Sequence, residues 1–207
     1  MKNLIKDAAI LLIITLFSGL ILGFVFQITK EPIALAEEKA AREAYSEVFP
    51  CALSFEPEEN AQTQNLAQDA LWVEGGFDGV SIDHVLRALD KDGTLLGYVL
   101  TVTSHEGYGG DITFTMGIAN DGTLNGISIL DISETAGLGM KAEEVLKPQF
   151  AEKNVPVFTY TKTGAVSEDQ IDAISGATIT TKALTTAVNG GLTYFQTQLG
   201  GGDNEAK

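Results

Sequence analysis

Cysteine is almost absent: Cys51 is the single thiol, so neither an internal disulfide nor a cysteine-ligated iron–sulfur cluster can be built from this chain alone. Histidine is nearly as scarce. His84 and His105 stand about twenty positions apart with no cysteine partners, a pattern too thin for a metal centre, so no metal site is expected. Basic residues are few as well. Thirteen Lys and Arg face 28 Asp and Glu, and a formal net charge of −15 repels a phosphate backbone, which makes nucleic acid a poor partner. The 207 residues leave room for one membrane segment and one domain with its own core, and not for a second full domain.

What is present begins with an uncharged run. From Ala8 to Thr29 the sequence AAILLIITLFSGLILGFVFQIT carries no charge, and about 22 residues at about 1.5 Å each span a hydrocarbon core of about 30 Å. Residues 1–30 are therefore expected to be a short N-terminus and a transmembrane helix. Lys2 and Lys6 precede the run and glutamates follow it, so the positive-inside bias puts the N-terminus in the cytoplasm and the bulk of the chain outside. The competing reading is a cleaved signal peptide, for which Ala34-Leu35-Ala36 offers the small-x-small form. Against it, the apolar run is longer than a signal peptide needs, and Lys30–Ile33 separates it from the cut. Cys51 lies too far downstream to take a lipid and reads as a buried or half-buried small hydrophobe.

Residues 31–69 read as a helical stalk and connector. Ala34–Val48 is rich in Ala and Glu, so a helix continues until Pro50 stops it, whereas Ser54–Asp69 is polar and aperiodic and reads as a loop. The domain proper is placed at 70–199, with 200–207 a disordered Gly-rich tail. Between Val80 and Ile132, short runs rich in Val, Ile, Leu and Thr predict an antiparallel sheet. Asp92-Gly93 and Asp121-Gly122 mark two hairpin turns that need positive φ. A short helix over Ala142–Phe150, a strand over Val157–Tyr160 and a helix over Thr181–Gln198 complete an α+β domain.

Immediately before that last helix stands Asp172-Ala173-Ile174-Ser175-Gly176-Ala177-Thr178-Ile179-Thr180-Thr181. Small polar residues opening a helix make a sound phosphate site, because the first-turn N–H groups and the positive end of the helix dipole stabilise an anion. Lys182, one turn in, adds countercharge. The plainer alternative is an N-cap with several Ser and Thr candidates. A second segment, Ser133-Glu134-Thr135-Ala136-Gly137-Leu138-Gly139-Met140-Lys141, alternatively reads as a Gly-rich strand-to-helix turn.

DAISGATIT resembles the flavinylation motif of the FMN-binding family, D-x-x-(S/T)-G-A-T followed by a residue and Ser or Thr. That family includes the G subunit of the Rnf electron-transport complex and the C subunit of the sodium-pumping NADH:quinone reductase. The resemblance implies that Thr178 is esterified to the FMN phosphate by a separate flavin transferase. It further implies that Asp172 is the leading acid read by that transferase, that Ser175, Gly176 and Ala177 shape the turn, and that Thr180 and Thr181 are alternative hydroxyls. The segment at 133–141 is similar to the family's E-T-P-G-L-G, departing at Ala136, which implies that Glu134, Thr135, Gly137, Leu138 and Gly139 line the flavin pocket. Gly107-Tyr108-Gly109-Gly110-Asp111 resembles a further family segment, implying Tyr108 near the cofactor.

The order of parts fits the Rnf protein best, the alternative being a flavin subunit of the quinone reductase or of another extracytoplasmic electron-transfer chain. The implied cofactor is covalent FMN. The implied partners are the membrane and iron–sulfur subunits of an Rnf complex, the flavin transferase and membrane lipid. The implied location is the cell (inner) membrane, and the implied role is electron relay with no catalytic residue of its own. An anchored, non-redox binding module is the alternative from another class.

Overall fold

The computed structural model describes residues 2–59, 61 and 70–200. The chain divides between Arg42 and Glu43 into two compact units. The first unit is helical. Its helix, α1, covers Lys2–Val48 without interruption, and Pro32 sits inside it. The most apolar 18-residue window has a mean hydropathy of 2.7 with none of it buried, so the helix is long and apolar enough to cross a membrane. It ends two residues before Pro50, as expected of a residue that cannot continue the hydrogen-bond ladder.

The second unit is built on a five-stranded, fully antiparallel sheet in the order β1-β2-β3-β4-β5. The strands are β1 (Ser54–Pro57), β2 (Val80–Leu89), β3 (Leu95–Ser104), β4 (Ile112–Ala119) and β5 (Leu124–Ile132). The short helix α2 (Ala70–Glu74) precedes β2. Both Asp-Gly turns form as the sequence predicts. Gly93 and Gly122 take φ of +77° and +84°, while Asp90 and Asp121 accept backbone N–H groups within their own turns.

Two sequence-based expectations give way here. Ser54–Pro57, read as part of a connector, pairs with Leu86–Leu89 as an edge strand, and Phe55 packs on Tyr45 with ring centroids 5.6 Å apart. Four residues carry no readable period, so only the non-local partner reveals the strand. Cys51, read as buried or half-buried, is exposed in the turn ahead of β1. The rest of the expected connector, at 60 and 62–69, and the tail at 201–207 lie outside the described residues.

After β5 the chain makes single 3-10 turns at Gly139–Lys141 and Lys147–Phe150 around the short helix α3 (Ala142–Val145), with Pro148 in the second turn. Strands β6 (Thr159–Thr161) and β7 (Gln170–Asp172) pair in parallel. The helix α4 (Thr178–Gln198) closes the domain.

Alternation along the strands builds two cores. Leu100, Val102, Phe114, Met116 and Ile118 face α4, where Ala183, Leu184, Ala187, Val188, Leu192 and Phe195 are buried against them. Val99 and Ala88 face the opposite way, onto Val48 and Phe49 at the end of α1. The seat of α4 is tight. A side chain at Gly191 would overlap Met116, and one at Gly190 would press on Val80, Phe77 and Trp72.

Candidate functional site

The first turn of α4 is the centre of the site, and it begins earlier than the sequence predicts. Thr178, not Thr181, is the first helical residue. Ala177 holds the N-cap position, and no side chain caps the helix. The cluster of hydroxyls therefore does not serve as the N-cap that its composition suggests. Reaching this geometry requires Gly176 at φ +79°, a conformation that costs other L-residues about 1–2 kcal/mol.

A cleft of about 440 Å³ opens at this turn, lined by Gly176, Ala177, Thr178, Ile179 and Thr180 from α4 and its approach. Its other wall comes from Glu134, Thr135, Leu138 and Gly139, with Tyr108 at the lip. Three segments far apart in sequence thus converge. Thr178 is half-buried, Thr180 is buried, and Tyr108 is largely exposed.

Glu134 ties the walls together. Its Oε1 accepts the backbone N–H of Tyr108 at 2.7 Å, and its stem runs directly against Gly139. A Cβ at Gly139 would lie 2.7 Å from both Glu134 Cβ and Thr180 Oγ1, so the 133–139 segment touches α4 only because this position is bare. Around the turn, Thr135 O accepts the N–H groups of Leu138 and Met140.

Other expected site residues lie outside the cleft. Thr181 is fully buried, and its Oγ1 donates to Ala177 O at 2.9 Å and accepts from Ile174 N at 3.2 Å, so its hydroxyl is committed to holding the turn. Asp172, at the end of β7, accepts the Ala165 N–H at 2.6 Å, and its main chain is paired twice with the Gln149 side chain. Ser175 is exposed beside Gly176, and Gly137 takes φ +77° in the open turn without lining the cleft. His105 contacts Asp111 at 3.1 Å and Ser81 at 3.3 Å, and does not line the cleft.

Sequence reasoning missed Ile179, which is half-exposed and contributes apolar surface to the wall. Its position between two threonines of a hydroxyl-rich motif gave no signal beyond its place on the first turn.

The chemistry of this arrangement suits a phosphorylated aromatic ligand. Uncapped first-turn amides meet an anion, and Leu138, Ile179 and Tyr108 offer apolar surface to a ring. Thr178 places a hydroxyl beside those amides.

Residues 107–193 match the FMN-binding domain family, a span that contains every residue lining the cleft. The chain is 28% identical over 197 residues to the G subunit of the Na(+)-translocating ferredoxin:NAD(+) oxidoreductase complex of Acetobacterium woodii, covering 94% of this chain and 93% of that one. It is 27% identical over 201 residues to the G subunit of the ion-translocating oxidoreductase complex of Methanosarcina acetivorans, covering 96% and 98%. Among solved structures, NqrC of Shewanella oneidensis superposes with a TM-score of 0.49 at 18% identity, over 74% of this chain and 72% of that one.

Proposed function

We propose that this chain, with its match to the FMN-binding domain family at residues 107–193, is the membrane-anchored flavin subunit of an ion-translocating oxidoreductase of the Rnf type. The near end-to-end similarity to relatives from such complexes supports that assembly over an isolated carrier. In this reading FMN is joined to the Thr178 oxygen through its phosphate. Iron–sulfur and membrane subunits supply and take the electrons, and the chain is not catalytic alone. α1 anchors the domain in the cell membrane, with the N-terminus in the cytoplasm and the flavin on the outer side, following the lysines that precede the apolar run.

The observation that carries the proposal is the bare start of α4. A threonine at the first helical position lines a ring-sized cleft, and among the described residues no side-chain cap takes the amides that a phosphate needs. If the hydroxyl cluster were only a cap, one of its oxygens would occupy those amides.

Attachment is an ester exchange with no change of oxidation state. The Thr178 Oγ–P bond forms, the phosphorus loses its bond to a leaving group, and the hydroxyl proton departs to base. A free phosphate is a poor electrophile in water, so the flavin transferase would use a flavin pyrophosphate, whose nucleotide monophosphate half leaves. Bound FMN supplies two-electron uptake and stepwise one-electron release. The residues of the chain would orient it: α4 amides would hold the phosphate, Leu138 and Ile179 would offer apolar surface to the ring, and the loop at Tyr108 would bound the lip. The phosphoester leaves the ring unsubstituted, so its potential is set by these surroundings, and the bond prevents loss of cofactor outside the cell.

Peptide mass spectrometry on chain purified from membranes of cells that possess the transferase tests the proposal. The expected result is the mass of FMN less one water on the peptide containing Thr178, and none in Thr178→Ala. A colourless, unmodified and functional chain would overturn it.

A further inference from the structure

Beyond the cleft lining, one charged pair spans the two segments that frame the flavin site. Lys182 Nζ lies 3.4 Å from Glu106 Oε2, although 76 residues separate them. Lys182 is the only basic residue on α4. Four residues after Thr178, it stands one turn along the same face, and helical side chains tilt toward the N-terminus, so an ammonium released from Glu106 can reach back toward the attachment point. Glu106 belongs to the loop that carries Tyr108, and its stem is braced over Gly79, where a Cβ would fall 2.5 Å from Glu106 Cγ. Both side chains are about half exposed, leaving the ammonium able to change partner without unpacking the core.

We infer that Lys182 is the countercation of the flavin phosphate and that Glu106 holds it in position until the phosphate arrives. This rests on the tether at Thr178 proposed above. A phosphodiester at Thr178 brings a negative charge into a site whose walls already carry Glu134 and whose loop carries Glu106. The first-turn amides offset part of that charge, and Lys182 is the cation on the same helix face. Glu106 then acts in two opposed ways: it orients the ammonium, and it competes with the phosphate for it.

That opposition separates a countercharge from a structural brace. If the pair only stiffened the loop against α4, removing either partner would impair the site in the same direction. If Lys182 serves the phosphate, removing the cation impairs loading and removing the acid favours it.

The test uses the full chain, expressed for short periods in cells that possess the transferase, with the flavin-modified fraction read by intact mass. Lys182→Ala is expected to load about tenfold more slowly than wild type, Lys182→Arg to recover most of the rate, and Glu106→Gln to load faster. Lys141→Ala, which removes the same charge from the neighbouring 3-10 turn, is expected to stay within about twofold of wild type. Circular dichroism confirms that each variant is folded. Wild-type loading matched by Lys182→Ala, a parallel fall in Lys182→Ala and Glu106→Gln, or an equal fall in Lys141→Ala overturns the inference while leaving the tether intact. Absence of modification in the wild type overturns the tether itself, and this inference with it.

Discussion

The Glu134 carboxylate accepts the main-chain N–H of Tyr108 at 2.7 Å, linking two loops that lie 26 residues apart in sequence and both line the cleft. The same carboxylate stands within 3.0 Å of the place a Cβ would take at Gly107, and the Glu134 stem abuts Gly139. One acidic side chain thus fixes the lip and the wall together.

Replacing Glu134 with Ala removes that acceptor and is expected to destabilise the domain by about 1–2 kcal/mol and loosen the loop bearing Tyr108. Glu134→Gln keeps an acceptor and is expected to lose less than half as much. Urea unfolding of the detergent-solubilised chain measures both, and an equal loss in the two variants would mean that the charge, not the hydrogen bond, matters.

At Gly139 the expectation is steric. Gly139→Ala places a methyl 2.7 Å from Glu134 Cβ and Thr180 Oγ1, which should cost about 1–3 kcal/mol and push the 133–139 segment away from α4. Gly137→Ala meets nothing within 4 Å but keeps a φ of +77°, so it should show only the backbone penalty of about 1–2 kcal/mol and leave the cleft in place. The flavin-loaded fraction therefore falls in the first variant and holds in the second.

A pH dependence follows from Glu47, which receives Lys147 at 2.8 Å and Ser128 at 2.5 Å. Partial burial works to raise its pKa, but the hydrogen bonds from Lys147 and Ser128 and the Lys147 charge outweigh it, holding the carboxyl below the ordinary glutamate range. For Lys147, partial burial works to lower the pKa, and Glu143 and Glu47 together lift it above the usual lysine range. A carboxyl depressed in the folded state contributes stability that is fully present above its unfolded pKa of about 4.3 and is lost as pH falls through the folded value. A lysine raised in the folded state contributes stability fully present below about pH 10.4 and lost as pH rises through the folded value. Urea midpoints should therefore hold between these limits and fall at each end. Glu47→Gln is expected to flatten the acid limb; an unchanged limb would show that other carboxyls set it.

Cys51 offers a direct test of topology, being the chain's single thiol and exposed. A membrane-impermeant maleimide should label it in cells whose outer barrier is opened but whose inner membrane is intact. Labelling only after lysis would place the domain in the cytoplasm and reverse the proposed orientation.

Much of this architecture is legible in the residues. The run ITFTMGIA coincides with β4, and the two Asp-Gly pairs turn the two hairpins they flank. Local chemistry suffices there. The start of α4 is not legible to the residue, because propensity favours a hydroxyl at the cap and the chain instead uses Ala177, with Gly176 supplying the bend and Thr181 bonding the turn from inside. Motif reading groups Asp172, Ser175, Gly137 and Thr181 with the site, whereas the fold sets Asp172 and Thr181 to bracing neighbouring turns. Ile179 escapes such reading, and so does Glu106 as the partner of Lys182. Their relevance comes from segments that only the folded sheet brings together.

Gly190 and Gly191 let α4 settle onto Met116 and Val80, with no room for a side chain at Gly191 and little at Gly190. They act as a depth stop for the whole rod. Because Thr178 is the leading residue of that rod, a cofactor fastened there would inherit its address from the hydrophobic interior and not from a surface loop. Electron hops weaken steeply with separation, so bulk added at either glycine would alter transfer rates from about three turns away while every residue of the cleft remained unchanged.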